Sequence, residues 1–271
     1  MVPRPLVPVD RLDEADWLVA AITEFTGDVA QLMPPGFQRC VRVFHRPDQG
    51  LPREDTPASW AEVARTHGTV MHAEAQWDAL TGGEETSGLP VPGSLDPLSL
   101  GRLSRILREH TTTPDRCHFS LWLGHGRAPS AWDGKPHFEL PGRSHWLFAP
   151  VPVLDVPACS VELAVAGLEE QSRLPGGIPG LITFGGGTHE EHSRDLVRRM
   201  REAGEVQSPS WWWPEDRAWV VHTEVDYDST LVAGSLALRT ALVDDPELEC
   251  WQVEPSMSLM ANADRVNDRW A

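Results

Sequence analysis

The stretch WVVHTEVDYDST, Trp219 to Thr230, alternates in steps of two. Trp219, Val221, Val225 and Tyr227, with Thr223 between them, take one side, and His222, Glu224, Asp226 and Asp228 take the other. Only an extended strand gathers residues two apart on one face. The pattern therefore predicts a strand from Trp219 to Tyr227 with one apolar side, and it commits the C-terminal third to a sheet. Same-face carboxylates on such a strand lie roughly 6–7 Å apart. Their repulsion has to be relieved by water, Arg or a metal. Two readings of the polar side stand at this point. One is the wet face of a half-exposed antiparallel strand. The other is a site in which Glu224, Asp226 and His222 are the candidate catalytic groups. The tail Asp228–Ser229–Thr230 also suits a turn that caps backbone donors.

The rest of the chain alternates irregularly between helical and extended patterns. Trp17, Leu18, Ala21, Ile22 and Phe25 recur at three-and-four spacing, which predicts a helix over 13–25 stopped by Gly27. QRCVRVFHRP reads as a strand with Cys40, Arg42 and Phe44 on one side. SWAEVARTHG reads as a helix capped either by Thr56 before Pro57 or by Ser59 with Glu62. Further helices are expected around Trp77, from Asp96–Pro97 onward, after Thr188 with Glu191 reaching back, over 235–243, and over 263–270. RCHFSLWLGHG, RSHWLFAPVPV, LITF and ECWQVEP read as strands, the second shortened by prolines that suggest an edge or a sharp departure. The segment 158–168 suits helix or strand equally. No unit repeats, so an α+β fold with a mixed or mainly antiparallel sheet flanked by helices is expected rather than a doubly wound parallel one. The expected organisation is one α+β domain over 1–271, divisible into subdomains 1–110 and 111–271.

WWWPEDR places Trp211, Trp212 and Trp213 just before the acidic row. Three adjacent indoles cannot enter one core face of an extended chain, so at least one is expected at a rim or pocket wall. Indole faces receive cations. Trp211, Trp212, Trp213, Asp216, Glu224, Asp226 and Asp228 are therefore the candidate ligand-binding residues, against the alternative of core packing and a rigid turn at Pro214. His118, His125, His137 and His145 lie in neighbouring expected strands and can either gather or serve separately. TFGGGTHEEHSRD lacks both GxxxxGK[ST] and GxGxxG, and Glu190 and Glu191 already occupy the positive end of its helix. His189 and His192 do not form HExxH, and no GxSxG elbow is present.

Charge narrows the partners. Twenty-three Lys and Arg against 40 Asp and Glu leave −17, which disfavours nucleic acid and anionic membranes. A cationic or polar small molecule, or a protein with a basic surface, is favoured instead. MVPRPLVPVDRLDE has no long apolar run, so no signal peptide is expected, and no stretch is long enough to cross a bilayer. Cys40, Cys117, Cys159 and Cys250 form no CxxC pair and read as reduced, buried, cytosolic thiols. No cofactor is expected, and no metal ligand set is assigned.

WWWPEDRAWVVHTEVDYDSTLVAGS, taken with VRVFHRP, SWAEVA and ELPGRSHWLFAPV, resembles an uncharacterised protein family from actinobacteria. The resemblance implies a cytosolic origin and supplies no active site. The functional expectation is a cytoplasmic, non-catalytic binding or interaction module with an acidic-aromatic surface. The competing one is a hydrolase-like enzyme that uses carboxylates with or without a divalent metal.

Overall fold

The computed structural model describes residues 6–47, 59–83, 88–126, 128–183 and 186–267. Its frame is one eight-stranded sheet in the order β3-β4-β2-β5-β6-β7-β1-β8. The strands are β1 (Arg39–Phe44), β2 (Cys117–Trp122), β3 (Phe138–Leu140), β4 (Arg143–Val151), β5 (Trp211–Pro214), β6 (Val220–Thr223), β7 (Ser229–Gly234) and β8 (Cys250–Val253). Every neighbouring pair is antiparallel. The fold is α+β, as the irregular alternation predicts. β1, the one strand among the described residues of the first 110, lies between β7 and β8 near the chain's end.

The helices are α1 (Asp16–Ala21), α2 (Val29–Leu32), α3 (Trp60–His67), α4 (Trp77–Thr81), α5 (Pro97–Arg108), α6 (Val156–Arg173), α7 (His189–Ala203) and α8 (Leu236–Val243). Their ends follow local chemistry. Ser59 caps α3 by accepting from the Glu62 amide, and the rival start at Thr56–Pro57 lies outside the described residues. Asp96 caps α5 with Pro97 in its first turn. Thr188 and Glu191 close a reciprocal capping box on α7. Gly176 N–H donates to Glu190, so the start of α7 is held by its own carboxylates.

Both faces of the sheet are covered, and this decides most of what the alternation leaves open. On one face Leu100, Leu103 and Leu107 of α5, Val156 and Leu163 of α6, and Leu238 and Leu242 of α8 meet Val41, Phe119, Trp212, Trp219 and Val221. On the other, Leu18, Ile22, Val29 and Leu32 meet Leu147, Trp211, Trp213, Val220 and Leu231. A strand between two apolar layers buries side chains on both sides, so its alternation no longer separates inside from outside.

Several expectations are corrected on these grounds. WWWP is itself strand β5, and all three indoles are buried, so none stands at an exposed rim, while Trp211 lines a cavity wall. Trp212 enters one core while Trp211 and Trp213 enter the other. β4 is interior: β3 and β2 flank it, and Val9 N–H bonds Leu147 O where β3 ends. Its prolines fall at the exit. Residues 158–168 belong to α6. Leu181–Thr183 of LITF form no strand, and Phe184 lies outside the described residues. Of the helix expected over 263–270, Ala263–Asn267 are not helical and the rest lies outside the described residues; Asp264 accepts from Asn267 N and Nδ2 and from Gln76 N. α1 ends at Ala21, four residues earlier than the spacing predicts, as Ile22 turns extended and buries against the second core. All four cysteines are free thiols, but only Cys117 is fully buried.

Candidate functional site

The acidic row does not survive as one face. β6 ends at Thr223, and a tight turn follows in which Tyr227 N–H bonds Glu224 O. Gly93 braces this turn by donating its N–H to Tyr227 O. It holds a φ of +74°, and a Cβ there would meet Val225 O at 2.8 Å. The turn sends the carboxylates apart. Glu224 points inward, Asp226 stands exposed at the tip, and Asp228 goes the other way to Arg42 at 3.3 Å. Asp216 lies at the opposite end of the β5–β6 hairpin. There it accepts from Thr111 Oγ1 and from Thr112 N and Oγ1, fastening the segment before β2. Trp212 packs edge-on against Trp219, and Trp213 packs edge-on against Trp17. Neither they nor Asp216 and Asp228 line the cavity that Glu224 and His222 share. Of the expected ligand-binding residues, Trp211 and Glu224 line it, with Asp226 at its rim.

The cavity is lined by Ile22, Phe25, Gln31, Leu32, Leu140, Pro141, Arg143, His145, Trp211, His222 and Glu224. The register explains the meeting. Trp211 of β5 pairs with His222 of β6, and both point to the face that α1 and α2 cover. Their rings stack with centroids 3.7 Å apart at 17°. Arg143 and His145 arrive from the start of β4. The residues freed by the early end of α1 complete the roof with α2. The remaining space is about 10 Å³, about enough for the centre of one water-sized group.

The polar groups around this space are poorly matched. His222 Nδ1 lies 2.9 Å from Ser210 O, so the neutral ring donates there and leaves Nε2 as a lone pair. Among the described residues, that Nε2 is buried without a hydrogen-bond partner, as are His145 Nδ1 and Gln31 Oε1. The Gln31 amide nitrogen donates to Glu24 at 3.3 Å, which assigns the other end as carbonyl. Glu224 Oε1 accepts from Arg143 Nε and Nη2 at 3.2 and 2.8 Å, and Nη2 also reaches Asp226 at 2.8 Å. Glu224 Oε2 faces His222 Nε2 at 3.9 Å. An acceptor therefore faces an acceptor across a distance too long for a direct hydrogen bond.

Burial sets the charge states. It pushes His145 down to about 3, with the His222, Arg143 and His125 charges adding to it. It pushes His222 down to about 4, against the Ser210 hydrogen bond. Burial also raises the Glu224 carboxyl above its ordinary range while Arg143 opposes. Two neutral imidazoles thus stand beside an Arg-paired carboxylate at neutral pH. Among the described residues, no group of three His, Cys, Asp or Glu side chains is placed to hold a metal ion.

Two further expectations resolve here. Of the four histidines that could gather, His145 joins the cavity, while His118 stacks on Trp213 and His137 reaches Glu139 at 3.2 Å. His189 and His192 bond Ile178 O and Thr188 O respectively and do not share a site. Sequence reasoning missed Arg143, Gln31, Ile22 and Phe25. Arg143 had one available signal: a cation two residues past Pro141, at the start of a strand rich in aromatics. No family model, curated protein or solved structure matches the chain. No helix among the described residues is long and apolar enough to cross a membrane.

Proposed function

We propose that the protein binds a small polar or cationic molecule in the cavity between His145, His222 and Glu224, and does so without transforming it. The carrying observation is the unpartnered His222 Nε2 held 3.9 Å from Glu224 Oε2, with both side chains buried. A buried polar atom without a partner costs about 1–3 kcal/mol, and three such atoms border one small space. A guest that donates hydrogen bonds would relieve that penalty. The scaffold is rigid where this demands it, since strands β4 and β6 carry Arg143, His145 and His222, and β5 carries Trp211 beneath His222.

An acid–base enzyme is the second reading, and the fixed Nδ1–H of His222 favours it by leaving Nε2 free to take a proton. A base held near 4 has little driving force for proton abstraction at neutral pH, which places binding first. A fragment screen by ligand-observed NMR tests the reading. Polar fragments are expected to bind wild type and to be lost in His222→Phe and Glu224→Gln, each checked for native near-UV dichroism. Fragments retained by both folded variants would remove the site. Turnover of any substrate that falls at least a hundredfold in Glu224→Gln would promote the enzymatic reading instead.

A further inference from the structure

Resting on that reading, we infer that the cavity selects a primary alkylammonium group, with its NH3+ head among His222, Glu224 and Gln31 and its alkyl tail leaving past the exposed Phe25. Three observations lead there. First, both unmet atoms with an assigned character are acceptors, His222 Nε2 as a lone pair and Gln31 Oε1 as a carbonyl, and a further acceptor, Glu224 Oε2, faces the first of these. A primary ammonium carries three donors and no acceptor, which matches such a set. Second, the charges at the rim favour a cation. Arg143 contributes one positive charge against Glu224, Asp226 and Glu24, which leaves −2. Arg143 is itself committed to Glu224 and Asp226 and lies over the Trp122 ring at 4.8 Å, so it does not turn toward a guest. Third, Ile22, Leu32, Leu140 and Pro141 supply an apolar wall beside the polar floor, and Phe25 stands at the mouth, 37% exposed.

The same features exclude close alternatives. A space of about 10 Å³ admits a head the size of water or ammonium and not a trimethylated one. A quaternary ammonium also brings no N–H, so the acceptors would stay unmet. An alcohol offers one donor and no charge, and a carboxylate would meet like charge.

Isothermal titration at constant ionic strength, pH 7.5, distinguishes these guests. n-Butylammonium chloride is expected to bind at least tenfold tighter than 1-butanol, and tetramethylammonium chloride to show no saturable heat. Adding n-butylammonium to protein labelled with 15N in its histidines is expected to shift the His222 Nε2 resonance. This wild-type measurement does not depend on any variant folding. Gln31→Met, at a half-exposed position, is expected to weaken n-butylammonium at least fivefold with the fold intact. Equal affinity for 1-butanol and n-butylammonium would overturn the ammonium inference and leave the binding reading standing. Failure of every probe, with a single ordered water bridging His222 and Glu224 in a crystal of the free protein, would overturn both.

Discussion

Two buried polar clusters flank the turn at 224–228, and they are built to opposite standards. On one side Arg42, 1% exposed, engages all three guanidinium nitrogens: Nε on Ser229 Oγ, Nη1 on the Ala73 and Ala75 carbonyls, and Nη2 on Asp228. Beside it His45 uses both ring nitrogens, Nδ1 on Val91 O and Nε2 on Thr230 Oγ1, and Thr230 meets Thr223. On the other side His145, His222 and Gln31 each leave an atom unpartnered. A saturated buried network holds the chain in one arrangement, whereas an unsaturated one keeps its hydrogen-bonding capacity for something else. The turn is thus anchored on the Arg42 side and functional on the Glu224 side.

The largest effect expected is one the two clusters share. Unfolded imidazoles take up protons near 6.5, whereas His45 and His222 resist until about 4 and His145 until about 3. Between those limits the unfolded chain binds more protons, so stability falls as pH falls from about 6.5 toward 4, by about 1.4 kcal/mol per pH unit for each imidazole. Above 6.5 these groups add no slope. Glu224, Asp228 and Glu249, whose carboxyls burial raises, act in the opposite sense and soften the decline. Urea denaturation from pH 7.5 to 4.5 measures the net slope, and His222→Phe is expected to flatten it by roughly one imidazole's share. An unchanged slope in that variant would mean His222 is already protonated in the fold.

Next in size, Arg42→Met strands Asp228 and two carbonyls in the interior and is expected to destabilise by about 3–5 kcal/mol, read from the urea midpoint. A loss below about 1 kcal/mol would mean the anchoring cluster relaxes, and the contrast with the other side would collapse. Smaller is Gly93→Ala. It forces a side chain into a left-handed φ against Val225 O and is expected to cost about 1–2 kcal/mol. It should also weaken guest binding by displacing Glu224. A loss of stability with binding intact would show that the brace does not position the site.

The smallest expected effect is the most discriminating. His222→Phe keeps the stack on Trp211 and removes the unpartnered Nε2 together with the Nδ1 bond to Ser210 O, which still accepts from Thr223 N at 2.9 Å. Stability at pH 7.5 is expected within about 1 kcal/mol of wild type, or above it. A thermal scan in which this variant falls as far as Arg42→Met would erase the difference between the clusters.

Much of the frame was legible in the chain. The caps of α5 and α7 rest on Asp96 and Thr188, residues whose side chains reach only three positions ahead. The extended character of β1, β2, β4, β6 and β8 likewise follows from their local patterns. His222 and Glu224 stood out by spacing, and both do reach the cavity. Their companions did not stand out. Asp216, Asp226 and Asp228 share the same spacing and composition, yet they cap a loop, stand in solvent, and pair with Arg42. Nothing local separates them, because the turn after Thr223 is held by Gly93, more than 130 residues earlier in the chain.

Sequence alone determined most of the element types, the α+β character with a mixed or mainly antiparallel sheet, and the concentration of titratable groups near residue 224, since each depends on neighbours within a turn or a strand. Tertiary structure decided that both sheet faces are covered, that three indoles divide between two cores, and that Arg143, His145 and Gln31 close around His222. Those outcomes depend on strand order and on where α1 stops. Burial and hydrogen-bond partnership are properties of packed surfaces, and distant segments create them only when they meet.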